Sequence, residues 1–99
     1  LKNGSVSDIV SLYSTEAILL ATYSQKIRIG HNSIADYFIN LKEKKGLGCE
    51  LLSFYPQPSK SIVSGEYRFF WEDGEAFARY TFVFDKSLIL NHHSSEIPK

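Results

Sequence analysis

The chain has 99 residues, a formal net charge of zero and 14% aromatic side chains, which makes one domain near the lower size limit for a single core, the aromatics compensating with large burial per residue. A neutral chain with no basic stripe and no acidic tail has nothing to recruit nucleic acid or an anionic membrane by long-range attraction. The longest apolar run, Ala17 to Ala21, falls far short of the ~20 residues of a membrane-spanning helix.

In chain order, Ser5 with Asp8 three residues on resembles a capping box, and Val6, Ile9, Val10 and Tyr13 at helical spacing make Ser5 to about Ser14 a short helix. Ala17 to Tyr23 and Lys26 to Ile29 read as strands. Gly30 turns the chain into a second helix, capped near Asn32, with Ile34, Tyr37, Phe38 and Leu41 on one stripe and Gly46 and Gly48 ending it. Lys42, Glu43, Lys44 and Lys45 form its solvated end, where cations suit the helix dipole. Cys49 to Tyr55, Lys60 to Trp71, Ala76 to Phe84 and Leu88 to Ser95 then read as strands. Helices first and a meander after them predict an α+β domain over residues 1–99, its helices packed on one face of a strongly curved antiparallel sheet. The single Cys49 cannot form an internal disulfide, which fits a cytoplasmic location. Asn3-Gly4-Ser5 is a formal glycosylation sequon read as chance, and the start at Leu1 without methionine leaves room for an upstream piece.

His92-His93 invites a metal site. Neighbouring residues on a strand point to opposite faces, so both rings cannot chelate one ion, and only His31 remains as a third imidazole. No metal and no cofactor are expected, with one of the pair buried and hydrogen-bonded and the other exposed or interfacial. Ser94 and Ser95 cannot make a nucleophile and base geometry with the histidines adjacent to them. Glu72, Asp73 and Glu75 crowd a turn tip that should be solvated, and Tyr67, Phe69 and Trp71 are core.

The strongest site signal is the hairpin Glu66 to Phe84. With Asp73-Gly74 as a two-residue loop, Glu72 pairs with Glu75, Phe70 with Phe77, Arg68 with Arg79 and Glu66 with Thr81. Two guanidiniums roughly 5 Å apart repel by about 3 kcal/mol at an effective dielectric near 20. Something negative should sit between them, either Glu66 or an anionic ligand in a polar cavity. The opposite face, Tyr67, Phe69, Trp71, Ala76, Ala78, Tyr80, Phe82 and Phe84, is apolar enough to be buried, so both faces are expected to be covered.

The stretch Ala78-Arg79-Tyr80-Thr81-Phe82-Val83-Phe84, followed by Asn91-His92-His93-Ser94-Ser95-Glu96-Ile97-Pro98, resembles the SgcJ/EcaC-type branch of the NTF2-like superfamily, within the SnoaL-like group. Val10-Ser11-Leu12-Tyr13, Gly30 to Phe38 and Gly65-Glu66-Tyr67-Arg68-Phe69 agree with it in order. The resemblance implies a cone-shaped α+β fold, a curved antiparallel sheet wrapped around helices with a pocket opening into the cone, assembled as a homodimer. It also implies a long opening helix, of which Leu1 to Gly4 could be only the last turn. The chain is similar over the same strands to the association domain of calcium/calmodulin-dependent kinase II. Two of that domain's three pocket arginines fall on Arg68 and Arg79, and the third on Ser94.

The reading is a homodimer, held by its aromatic sheet face, that binds a small, partly apolar organic acid in the cone. Arg68 and Arg79 would anchor the carboxylate, Thr81, His92 and Ser94 would hydrogen-bond, Phe70 and Phe77 would form an apolar wall, and Glu66 would neutralise the arginines. Two alternatives stand beside it: an oligomerisation module with a vestigial pocket, and a SnoaL-like isomerase, cyclase or dehydratase.

Overall fold

A computed structural model describes residues 5–22, 24–57 and 61–97. Expectations that reach Leu1 to Gly4, Tyr23, Lys60 and Pro98 lie outside the described residues. The elements are α1 (Val6–Val10), β1 (Tyr13–Leu20), β2 (Arg28–Ile29), α2 (Gly30–Leu41), β3 (Gly48–Pro56), β4 (Ile62–Trp71), β5 (Gly74–Asp85) and β6 (Leu88–Glu96).

Ser5 caps α1 as expected, its hydroxyl accepting from the Asp8 N–H at 3.1 Å. The helix stops at Val10, however, because the sheet captures the chain: the Ile89 N–H donates to the Leu12 carbonyl at 2.8 Å and Tyr13 pairs with Ile89. Tyr13 is therefore the first residue of a strand, and its buried ring enters the core from the sheet side. The second helix starts at Gly30 rather than near Asn32, with Ile29 in the capping position and no side-chain cap. Gly30 takes φ +82°, a conformation that costs glycine little and lets β2 turn straight into α2. Ile34, Tyr37, Phe38 and Leu41 form the buried stripe.

The six strands lie in the order β2-β1-β6-β5-β4-β3. From β3 to β6 they form the expected antiparallel meander, but β1 runs parallel to β6, so the sheet is mixed rather than antiparallel throughout. Register shifts between Leu51 and Ser53, between Val83 and Phe84 and between Tyr13 and Ile18 mark where the ladder is interrupted. Extra residues at such points bend a strand and increase its twist. The result is a curved, open sheet with α1 and α2 on its inner face.

The β4–β5 hairpin departs from the expected register. Its loop is Glu72-Asp73, with Trp71 opposite Gly74, so that Arg68 faces Phe77 and Arg79 faces Glu66. Neither loop residue takes a positive φ. Gly74 serves another purpose: a Cβ there would lie 2.8 Å from the indole ring of Trp71, which folds across it. The positive-φ pair is found instead at Lys86 (50°) and Ser87 (72°), in the turn that joins β5 to β6. The shift at β4–β5 is by two residues, so the faces keep their composition while the partners change.

Val63, Tyr67, Phe69, Ala76, Ala78, Tyr80, His92 and Ser94 are buried on the inner face. Glu66, Glu75, Phe77 and Arg79 are exposed on the outer one. The expectation that both faces are covered, with a polar cavity on the arginine side, is thus corrected: the arginine face is open to solvent and the aromatic face is the concave one. That face is already packed, so it is not a free surface for a second copy. Within it, Gly65 lies opposite Tyr80, whose hydroxyl donates to the Ser53 carbonyl across β4 at 2.7 Å. A Cβ at Gly65 would overlap that carbonyl and come within 2.6 Å of the Tyr80 hydroxyl, so the glycine is what lets the bond form.

Candidate functional site

The residues singled out in the sequence are divided by the sheet. Arg68, Arg79, Glu66, Thr81, Phe70 and Phe77 share the outer face, while His92 lies opposite Phe82 and Ser94 opposite Tyr80, on the inner one. On the outer face the charge of Arg68 already has partners. Arg68 Nε donates to Glu50 at 3.2 Å and its Nη1 to Glu75 at 3.0 Å, and its guanidinium lies 4.5 Å from the centre of the Phe70 ring. Hydrogen bonding to Glu50 leads the causes that hold its pKa above the ordinary value. Glu66 accepts from the Ser53 hydroxyl at 3.2 Å and is the direct cross-strand neighbour of Arg79. Arg68 and Arg79 do not lie opposite each other, so the direct opposition that motivated an anion between them is absent. Thr81 is in contact with the Ser64 hydroxyl at 3.2 Å.

The inner face holds an arrangement of a different kind. Tyr13 reaches His92 from β1 with its hydroxyl 2.9 Å from Nδ1, and Tyr67 reaches it from β4 with its hydroxyl 3.2 Å from Nε2. The three side chains are buried, and Phe82 closes over the imidazole with ring centres 4.2 Å apart. Ser94, two residues along the same face of β6, meets the Thr22 hydroxyl in a short contact. His93, on the other face, is exposed. The division of the histidine pair into one buried, hydrogen-bonded ring and one exposed ring is as expected.

Burial pushes His92 down to about 3, with the neighbouring His93 adding to the effect, so the ring is neutral at pH 7. Burial likewise raises Tyr13 and Tyr67 well above the ordinary phenol range. A neutral imidazole has one N–H and one lone pair. One phenol must therefore donate to it and the other accept from it, and no member of the set carries charge.

These three groups form the polar part of a cavity of about 270 Å³ between the inner face and the helices. Ile9 and Leu12 line it from the α1 side, Phe38 from α2, Cys49 and Leu51 from β3, Phe69 and Phe82 from β4 and β5, and Ile89 from β6. Its walls are thus almost wholly apolar. Cys49, Leu12 and Leu51 are exposed and form the mouth. Partial desolvation at the mouth raises the Cys49 thiol above its ordinary pKa. Among the described residues no cation and no carboxylate lines the cavity, and no three metal-binding side chains are grouped. No helix among them is long and apolar enough to cross a membrane.

No family model matches the chain, and no curated protein matches it in sequence. Its structure is similar to a protein from Xanthomonas campestris assigned as a calcium/calmodulin-dependent protein kinase II association domain, with 28% identity and a TM-score of 0.73 over 99% of this chain and 78% of that one. A protein from Sinorhizobium meliloti assigned as a polyketide cyclase is 10% identical, with a TM-score of 0.79 over 92% of this chain and 82% of its own. An epoxide hydrolase/cyclase-like enzyme of pyran ring formation in the polyether salinomycin is 13% identical, with a TM-score of 0.84 over 97% and 81%. At such identities the two cyclase-type structures share the fold alone with this chain. That fold is NTF2-like.

Proposed function

We propose that this NTF2-like domain binds a small, neutral, largely apolar molecule carrying a hydrogen-bonding oxygen, with its body in the inner cavity and its oxygen at Tyr13 and His92. The observation that carries the reading is the uncharged Tyr13–His92–Tyr67 set inside apolar walls. Pockets that hold small molecules are mostly apolar with a few convergent polar groups, and ~270 Å³ is near the lower end of their size. An ionised carboxylate in this cavity would lose its water shell and find neutral phenols in return, a poor exchange for a charge. An acid held by Arg68 and Arg79 would have to lie on the outer face, against two carboxylates already paired with Arg68. A cyclase or isomerase needs a base, and His92, held neutral down to about pH 3, is a weak one. Binding is therefore favoured over catalysis, and the cyclase-type neighbours, alike in fold, do not shift that balance.

Cys49 is the single cysteine and sits at the cavity mouth, so its alkylation rate reports occupancy. The expected result is saturable protection by 2-acetylnaphthalene, weakened in Tyr13→Phe, with 2-naphthoate protecting less well. A thermal-shift response to naphthoate that exceeds the ketone's and vanishes in Arg79→Ala would favour the organic acid instead. No protection by either up to their solubility limits would overturn binding in this cavity.

A further inference from the structure

A second cleft, of about 210 Å³, lies between β2 and the C-terminal end of α2 and shares no lining residue with the inner cavity. Tyr37 and Leu41 form its buried part, and Arg28, Asn40 and Lys44 are half-buried or exposed around them. Its chemistry is the reverse of the inner cavity's. Two cations line it, and among the described residues no carboxylate does.

Each cation is positioned by an uncharged neighbour. Arg28 Nε donates to the Ser24 hydroxyl at 3.1 Å, and that hydroxyl donates to the Lys26 carbonyl at 2.8 Å, so the side chain is anchored by its inner nitrogen. Among the described residues Arg28 makes no other hydrogen bond and no ion pair. Its two Nη groups, the edge that grips a carboxylate or phosphate through parallel N–H bonds, are therefore left over. Lys44 Nζ lies 4.6 Å from the centre of the Trp71 ring, which folds across Gly74. The ammonium thus rests on an aromatic face. The C-terminal end of a helix disfavours an anion by roughly half a charge, less than two full cations supply. The last carbonyls of α2 are also engaged, those of Phe38, Asn40 and Leu41 accepting from the N–H groups of Lys42, Glu43 and Lys44.

We infer that this cleft binds a small tetrahedral dianion, a phosphate either free or at the head of a small monoester. The Arg28 edge takes two of its oxygens, Lys44 supplies the second positive charge, and the Asn40 amide adds a neutral donor. A phosphate group carries a charge of about −1.5 to −2 near pH 7, which matches the two cations. A monocarboxylate would answer only one of them. The cleft is smaller than the ~300 Å³ at which pockets begin to enclose drug-sized molecules, so the anion has room for a short substituent and little more.

The test is an NMR titration of ¹⁵N-labelled protein with inorganic phosphate at about pH 8, where the dianion predominates, with chloride keeping the ionic strength constant. Saturable shifts are expected at the amides of Arg28, Asn40 and Lys44, and acetate should bind roughly tenfold more weakly, the scale of one lost charge-assisted bond. Arg28→Gln and Lys44→Gln should each weaken phosphate binding by a similar factor, and Arg28→Lys should recover only part of it, because an ammonium lacks the two-point edge. Lys45→Gln, next in the chain but outside the cleft, should change nothing. Phenyl phosphate binding more tightly than inorganic phosphate would support the monoester as occupant, and equal affinity the free ion. Arg28 lies on an edge strand, so its variants count only if their ligand-free spectra match the parent's away from the cleft. Lys44→Gln, at an exposed side chain, carries the test otherwise. Shifts that rise without saturation up to ~50 mM, well past the millimolar range of weak binding sites, overturn the inference. So does acetate binding as well as phosphate, or an affinity unchanged by Lys44→Gln.

Discussion

The neutral, buried His92 makes the fold acid-sensitive in a defined window. In the unfolded chain its imidazole protonates near 6.5, and in the folded protein not until about 3. Between these values the unfolded state binds the extra proton, so stability is full above pH 6.5 and falls as the pH drops towards 3. Each pH unit well below 6.5 costs about 1.4 kcal/mol, and because the unfolded imidazole is only half protonated at 6.5 this one ring costs about 2 kcal/mol between pH 6.5 and pH 4.5. Domains hold only ~5–15 kcal/mol in total, so the loss is large. Urea denaturation of the parent and of His92→Gln at pH 7.5, 6.5, 5.5 and 4.5 isolates it. Glutamine keeps a donor and an acceptor but does not titrate, so subtracting the two curves removes every other ionisable group. The parent's stability relative to the variant should fall by about 2 kcal/mol over the two units below 6.5. A pH-independent difference, or an imidazole resonance of His92 titrating with a midpoint near 6.5, would refute the argument.

Gly65→Ala should destabilise the fold by about 2–4 kcal/mol, combining overpacking against Ser53 with loss of the Tyr80 hydrogen bond. Urea denaturation should show a smaller cost for the same change in a Tyr80→Phe background. Replacing Lys86-Ser87 by Asn-Gly should stabilise by about 1 kcal/mol, because both positions have positive φ. That corresponds to a rise of roughly 4–8 °C in Tm for a domain of this size, read by calorimetry. Homodimerisation, expected from the sequence, would use the outer face, where Ile62 and Phe77 are 37% and 39% exposed and Glu66 and Arg79 alternate in charge. Light scattering that gives the 11.3 kDa monomer mass at tens of micromolar, a working range for weak self-association, would exclude it.

Much of this fold was readable from periodicity. The burial pattern of β4 and β5 follows the alternation seen in the sequence, with Tyr67, Phe69, Ala76, Ala78 and Tyr80 inside and Glu66, Glu75, Phe77 and Arg79 outside. The long-range pairings were not readable. The parallel β1–β6 contact joins Tyr13 to Ile89, and no local pattern records that pairing. It also explains why α1 ends early, since the helical spacing of Val6, Ile9, Val10 and Tyr13 continues past the point where the sheet takes over. The Asp73-Gly74 pair misdirected the register because its glycine serves the Trp71 ring, while the positive-φ turn fell on Lys86-Ser87, two residues without glycine.

At the candidate site the same two-residue displacement decides the chemistry. It preserved the faces, so Arg68 and Arg79 do lie on one side of the sheet, but it removed their direct opposition and gave each a carboxylate neighbour instead. Charge was the conspicuous signal in the sequence, and charge is cheapest where water can reach it, on the outside of the curve. The groups that meet in the cavity left a fainter trace: Tyr13 and Tyr67 fit the apolar rhythm of their segments and read as core. Their hydroxyls become visible only when β1, β4 and β6 are assembled, because His92 lies 79 residues from Tyr13 and 25 from Tyr67. A phenol among aromatic neighbours needs a partner for its O–H. Two such phenols on one face, with His92 buried between them, are therefore the physical reason to look for a ligand there and not at the arginines.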